Sequence, residues 1–166
     1  PKLIERVLPE SERNDDIKQK VFDCFFDHYR EHYCDKTDVY DGIMELINNL
    51  KLRGIKMAVV SNKAEEMAVT VVNKLFQNSF DIVCGKRDGY PAKPDASLTL
   101  KVINDLGVSS SECLFVGDSG MDMAAAVNAN CLGVGVLWGF RTEEELLSNG
   151  ANYIIESPLE LMEIIK

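Results

Sequence analysis

The sequence contains no run of Lys or Arg, no Cys-x-x-Cys pair, and no stretch near the roughly 18 consecutive apolar residues that a membrane-spanning helix requires. Eighteen basic residues stand against 27 acidic ones, a formal net charge of -9. Nucleic acids and anionic membrane surfaces both demand a cationic face, so neither is expected as a partner. The five cysteines, Cys24, Cys34, Cys84, Cys113 and Cys131, are odd in number and widely spaced. They suit a reducing compartment rather than a disulfide framework. The first residues carry no basic segment followed by an apolar core, so the expected setting is the cytoplasm. At 166 residues and 46% hydrophobic composition the chain can bury one domain with a small appendage.

What the sequence does have is alternation. Residues 17–33 place Val21, Phe22, Phe25, Phe26, Tyr29 and Tyr33 at helical spacing, which predicts one long helix with a wide apolar face. From 43 onward, short apolar runs at 55–60, 81–84, 113–117, 132–136 and 153–155 alternate with helical patterns at 43–53, 64–76, 95–106, 121–129, 143–148 and 159–165. Gly54, Gly107 and Gly150 stand as helix stops, and Thr142 with Glu145 reads as a capping box. Such alternation predicts an α/β fold: a Rossmann-like parallel sheet with helices on both faces and ligands at the carboxyl ends of the strands.

Three strand ends carry polar chemistry. In Val59-Val60-Ser61-Asn62-Lys63 a hydroxyl and an amide fall where a helix is expected to begin, a setting for phosphate oxygens and equally for a plain N-cap. In Pro91-Ala92-Lys93-Pro94-Asp95 a lysine precedes a proline, which favours an extended backbone and an ammonium aimed into a site; a solvated loop lysine is the plainer reading. In Gly117-Asp118-Ser119-Gly120-Met121-Asp122 two carboxylates lie one helical turn apart directly after an apolar run. Capping explains one of them, whereas a pair suits Mg²⁺, a hard cation that takes one or two carboxylates and keeps several waters. A hydroxyl, a lysine and a carboxylate pair in this order describe a phosphate-plus-magnesium site.

These residues resemble the motifs of the haloacid dehalogenase superfamily of phosphohydrolases, and within it the phosphoglycolate phosphatase group. Val60-Ser61-Asn62-Lys63 is similar to the second family motif, Lys93-Pro94 to the third, and Gly117-Asp118-Ser119 through Asp122, with Ala124-Ala125-Ala126, to the fourth. The likeness runs on through Val136-Leu137-Trp138-Gly139-Phe140 to the end of the chain. It implies that Ser61, with the Asn62 backbone, binds the transferring phosphoryl group. It further implies that Lys93 neutralises developing charge, that Asp118 holds Mg²⁺ and that Asp122 supports the metal's waters or Lys93. The implied reaction is hydrolysis of a small phosphorylated metabolite, 2-phosphoglycolate first. A nucleotidase, a phosphosugar mutase, or a non-catalytic phosphate-binding scaffold stand as alternatives.

One element of the resemblance is missing. The family's first motif is Asp-x-Asp at the end of an early strand, its first Asp being the nucleophile that forms an aspartyl-phosphate. None of the thirteen aspartates here is separated from another by two positions. Asp35, Asp38 and Asp41 follow the aromatic helix rather than an apolar strand and read as a connector. The expected organisation is therefore a partial helical cap over 1–36 and an α/β core over 37–166 that lacks its central first strand. The pattern starts about 50 to 60 residues in, on the scale of an ordinary domain. The expectation is a chain that is inactive as written and unstable alone, with the missing segment or a partner chain completing the sheet. Cys24, His28 and His32 recur every fourth residue, Trp138 and Phe140 flank Gly139, and Lys86 with Arg87 lies in a polar loop. Each has a bland reading as packing or solvated loop.

Overall fold

A computed structural model describes residues 2–165. The chain divides after Asp38 into two compact units. The first holds α1 (Lys2–Val7) and α2 (Asp15–His32). Asn14 caps α2 by accepting a hydrogen bond from the Ile17 amide at 2.9 Å, which is why the helix begins two residues ahead of its apolar pattern. The expected aromatic face is present as a ladder, with Phe22 on Phe26 at 5.7 Å and Phe25 on Tyr29 at 5.5 Å between ring centroids. No residue of α2 is fully buried.

The second unit contains α3 (Ile43–Leu52), β1 (Ala58–Ala64), α4 (Glu65–Phe76), β2 (Ile82–Lys86), α5 (Ser97–Leu106), β3 (Leu114–Gly117), α6 (Gly120–Asn128), β4 (Leu132–Val136), α7 (Glu143–Ser148), β5 (Tyr153–Ile155) and α8 (Leu161–Ile164). All strand pairs are parallel. Leu46, Ile47 and Leu50 of α3 join Val134, Val136, Ile155 and Leu161 in the main core, and Ile103, Ala126, Ala129 and Cys131 form a second cluster. Gly135 lies under close packing, since a Cβ there would stand 2.8 Å from the end of the Ile154 side chain and 3.0 Å from that of Leu146, both of which would have to shift.

The strands do not form one sheet. β1 pairs with β2, β3 pairs with β4 and β4 with β5, leaving β1 and β3 each with one edge that no described strand occupies. Exposure follows the pairing. In β4, paired on both sides, Val134 is 0% and Val136 5% exposed, whereas Val116 of β3 is 42% exposed and no residue of β1 is fully buried.

Two sequence expectations shift. β1 starts at Ala58 rather than 55, because the Ile55 amide bonds back to the helix carbonyl of Leu50 and the Met57 amide to the Asp81 carboxylate at 2.8 Å, holding this stretch outside the ladder. It also runs on to Ala64, through the residues expected to open a helix, with its register to β2 shifted between Val60 and Ala64. α5 starts at Ser97 rather than 95, because the Asp95 carboxylate accepts from both the amide and the hydroxyl of Ser97 in a turn ahead of the helix. Those bonds hold the Asp95 carboxyl below its usual range.

Amide hydrogen exchange checks the split. The β4 amides are expected to exchange only through global opening, and the β1 amides directed away from β2 to exchange orders of magnitude faster. Uniform protection across both strands would mean that the β1 edge is covered.

Candidate active site

Lys93 lies in the loop between β2 and α5, and its Nζ donates to the Asp122 carboxylate at 2.7 Å and to the Val60 carbonyl at 2.8 Å. The two charged side chains are only 13% and 12% exposed. Val60 belongs to one sheet, and Asp122 sits on α6, directly after the first strand of the other. The ammonium therefore spans the division between the sheets. It also stands 5.6 Å from the Phe115 ring centroid, a favourable placement over the electron-rich face.

The lysine backbone is fixed separately. The Asn62 side chain accepts from the Lys93 amide at 2.7 Å and donates to the Lys93 carbonyl at 3.2 Å, and Asn128 donates to the Pro94 carbonyl at 2.8 Å. One asparagine from each side of the split thus holds the lysine turn. Asn62 had been expected to serve phosphate through its backbone; its side chain is engaged with Lys93. The part played by Asn128 is not visible in the sequence, because nothing in its spacing distinguishes it from a surface asparagine late in a helix.

Asp122 has both oxygens occupied. Oδ1 takes the Lys93 ammonium, and Oδ2 accepts from the Ser119 amide at 3.1 Å and the Ser119 hydroxyl at 2.5 Å, forming the capping box of α6. Close packing holds it there, since a Cβ on Gly117 would collide with the Asp122 side chain. Asp118 is half-buried at the end of β3, and its Oδ2 accepts from the Phe140 amide at 3.1 Å. A Cβ on Gly139 would collide with the Asp118 side chain, so the 138–140 turn presses its backbone against this carboxylate. The Gly120 amide, unpaired at the start of α6, donates to Glu145 at 3.2 Å. Glu145 therefore serves α6 instead of completing the box expected with Thr142, whose hydroxyl alone accepts from the Glu145 amide at 3.3 Å.

Ser61 stands immediately after Val60, at the same end of β1, and its Oγ accepts from the Lys63 amide at 3.1 Å. Ser61 and Asn62 sit within the strand, and the N-cap of α4 is Ala64. Ser61, Asn62, Lys93 and Asp122 are thus gathered at the carboxyl ends of the strands, with Asp118 following β3 beside Asp122. Trp138 packs on the main core while Phe140 is 83% exposed. Arg87 is not free to steer an anion: it pairs with Glu65 at 3.2 Å and lies over the Tyr90 ring at 5.0 Å.

As a magnesium site the residues fit in one respect. Asp118 offers a single carboxylate held by one backbone amide, in keeping with an ion that keeps most of its waters. Asp122 fits a supporting position, its oxygens being taken by Lys93 and Ser119. No group of three His, Cys, Asp or Glu side chains arranged to hold a metal occurs among the described residues.

Residues 2–136 match the family model described as haloacid dehalogenase-like hydrolase. The chain belongs to that family. It is 29% identical over 168 residues to the phosphoglycolate phosphatase of Chromobacterium violaceum, an alignment covering 99% of this chain and 74% of that enzyme. It is 36% identical over 141 residues to PpaX of Caldanaerobacter subterraneus, a candidate pyrophosphatase, covering 83% of this chain and 64% of that protein. Among solved structures, a candidate phosphoglycolate phosphatase from Lactobacillus delbrueckii superposes with a TM-score of 0.87 at 35% identity, over 95% of this chain and 66% of that one. A candidate phosphatase from Clostridium difficile superposes with a TM-score of 0.88 at 18% identity, a likeness of fold. Of these relatives' own lengths, this chain spans between 64% and 78%. No described helix is long and apolar enough to cross a membrane.

The two aspartates of this hydrolase are expected to separate by stability. Asp122→Asn leaves a largely buried ammonium without its counter-charge and should cost about 3 to 5 kcal/mol in urea denaturation. Asp118→Asn keeps an oxygen for the Phe140 amide and should cost less than about 1 kcal/mol. Equal losses at the two positions would reject this division of roles.

Proposed function

We propose that this chain carries the phosphate- and metal-binding residues of a Mg²⁺-dependent phosphomonoester hydrolase acting on a small phosphorylated metabolite, with 2-phosphoglycolate the first candidate. The observation that carries this reading is the Lys93 ammonium, held between the Val60 carbonyl and the Asp122 carboxylate at the carboxyl ends of two strands. A fixed, poorly solvated cation of this kind stabilises charge on a transferring phosphoryl group, because such transfer is chiefly positioning and electrostatics. Ser61 presents a hydroxyl beside it to a phosphoryl oxygen. Asp118 would hold Mg²⁺, which when bound screens the negative charges of phosphate and nucleophile from one another.

The nucleophile is not among these residues. On this reading it is the first carboxylate of an Asp-x-Asp segment, supplied in cis or by another polypeptide, whose strand fills the space between β1 and β3. The aspartate attacks phosphorus, the alcohol leaves with a proton from the second aspartate, and water then cleaves the aspartyl-phosphate. The chain as given is accordingly inactive. The relatives named phosphoglycolate phosphatase support the choice of substrate, and nucleotidase and phosphosugar mutase activities are the alternatives on the same core, because fold does not fix substrate.

The test is phosphate release from 2-phosphoglycolate, a nucleoside monophosphate and a hexose phosphate, with Mg²⁺, by the chain alone and with an added apolar peptide ending in Asp-x-Asp. Activity is expected only with the peptide, lost on chelation, and lowered about 10²- to 10³-fold by Lys93→Ala. Turnover by the chain alone that Lys93→Ala leaves intact would overturn the reading. Saturable phosphate binding without turnover in any mixture would favour the scaffold alternative.

A further inference from the structure

The two histidines of the chain, His28 and His32, lie one turn apart on α2, far in sequence from every residue of the phosphate site. Their rings face each other with centroids 4.4 Å apart and planes inclined by 32°. Residues four apart share one helix face, and two histidines at that spacing are a recurrent way for a helix to grip zinc. A single ion bound by two imidazoles at its ordinary bond length requires nitrogens about 3 to 3.4 Å apart, within the reach of rings already this close.

A second observation concerns readiness rather than spacing. His32 Nδ1 lies 2.7 Å from Asp35 Oδ2, with the His32 side chain 47% and the Asp35 side chain 58% exposed. A carboxylate only accepts, so Nδ1 carries the proton of this bond, and in the neutral ring the lone pair is then on Nε2. A carboxylate bonded to one ring nitrogen is the outer arrangement seen behind metal-bound histidines, where it fixes ring orientation and raises basicity. The sequence pattern Cys24, His28, His32 had pointed to three ligands in a row. Among the described residues no third ligand joins, and Asp35 supports a ligand instead of being one.

We propose that His28 and His32 form a two-nitrogen site for a divalent transition-metal ion such as Zn²⁺, completed by water, with Asp35 holding His32 in the ligating tautomer. Imidazole nitrogen selects borderline ions of this type, and Mg²⁺, which prefers oxygen, is not a ligand for it. The acidic chain, at a net charge of -9, draws cations to its surface. With two protein ligands the site is open and exchangeable, suited to a passing or regulatory ion rather than a structural one.

Because these are the chain's two histidines, their imidazole NMR signals report on this site alone. Zn²⁺ added to the full chain should shift both rings together at one ion per chain, chelation should reverse the change, and Mg²⁺ should leave both rings unmoved. In His28→Gln the His32 signal should need at least tenfold more Zn²⁺ to shift. Asp35→Asn should weaken binding about 10- to 100-fold. Circular dichroism of the variants checks that the helix is intact, and Cys24→Ser should bind as the parent does. Rings that stay unmoved while Zn²⁺ binds elsewhere, or a His32 response unchanged in His28→Gln, would overturn the proposal.

Discussion

The contact on which this molecule turns is a lysine ammonium between two sheets. Lys93 has a carbonyl of β1 on one side and the α6 carboxylate that follows β3 on the other, and its own backbone is fixed by Asn62 and Asn128, again one from each side. A charge so little exposed is stable only with its partners in place. The same need that keeps the halves in register also leaves a cation fixed where phosphate chemistry would use it. Asp122 repeats the economy, with one oxygen on the lysine and the other closing the first turn of α6.

Much of this was legible beforehand, for physical reasons that can be named. Residues 43–53 and 143–148 announced their helices because apolar periodicity, glycine stops and a Thr cap agreed with one another. Ser61, Lys93, Asp118 and Asp122 could be singled out because they follow apolar runs in an order that resembles the family motifs, each alone having an ordinary reading as a cap or loop residue. The Asp122 support of Lys93 was implied by the resemblance, whereas the other cross-element partners stayed hidden. Spacing gives the face of an element, not which side chain crosses to another element, so neither the Asn62 grip on Lys93 nor the Glu145 reach to Gly120 could be read. The start of β1 was misplaced because residues 55–57 are apolar enough for a strand yet spend their amides on Leu50 and Asp81.

The family assignment and the chemistry rest on different supports. Membership follows from a match over residues 2–136, while the arrangement of Lys93, Ser61 and the two aspartates is a matter of a few contacts. The 138–140 turn illustrates the difference. Its glycine allows the backbone to lie against Asp118, and the next residue turns an aromatic ring out to solvent, so one short segment sets a carboxylate and shapes the surface near it.

The open edges of β1 and β3 also bear on assembly. They belong to different sheets, and each presents backbone donors and acceptors that no described strand meets. Unpaired edges of that kind are templates for pairing with another chain. A strand seated on either edge therefore does more than complete a core, because it also removes a template on which another copy of the chain could pair.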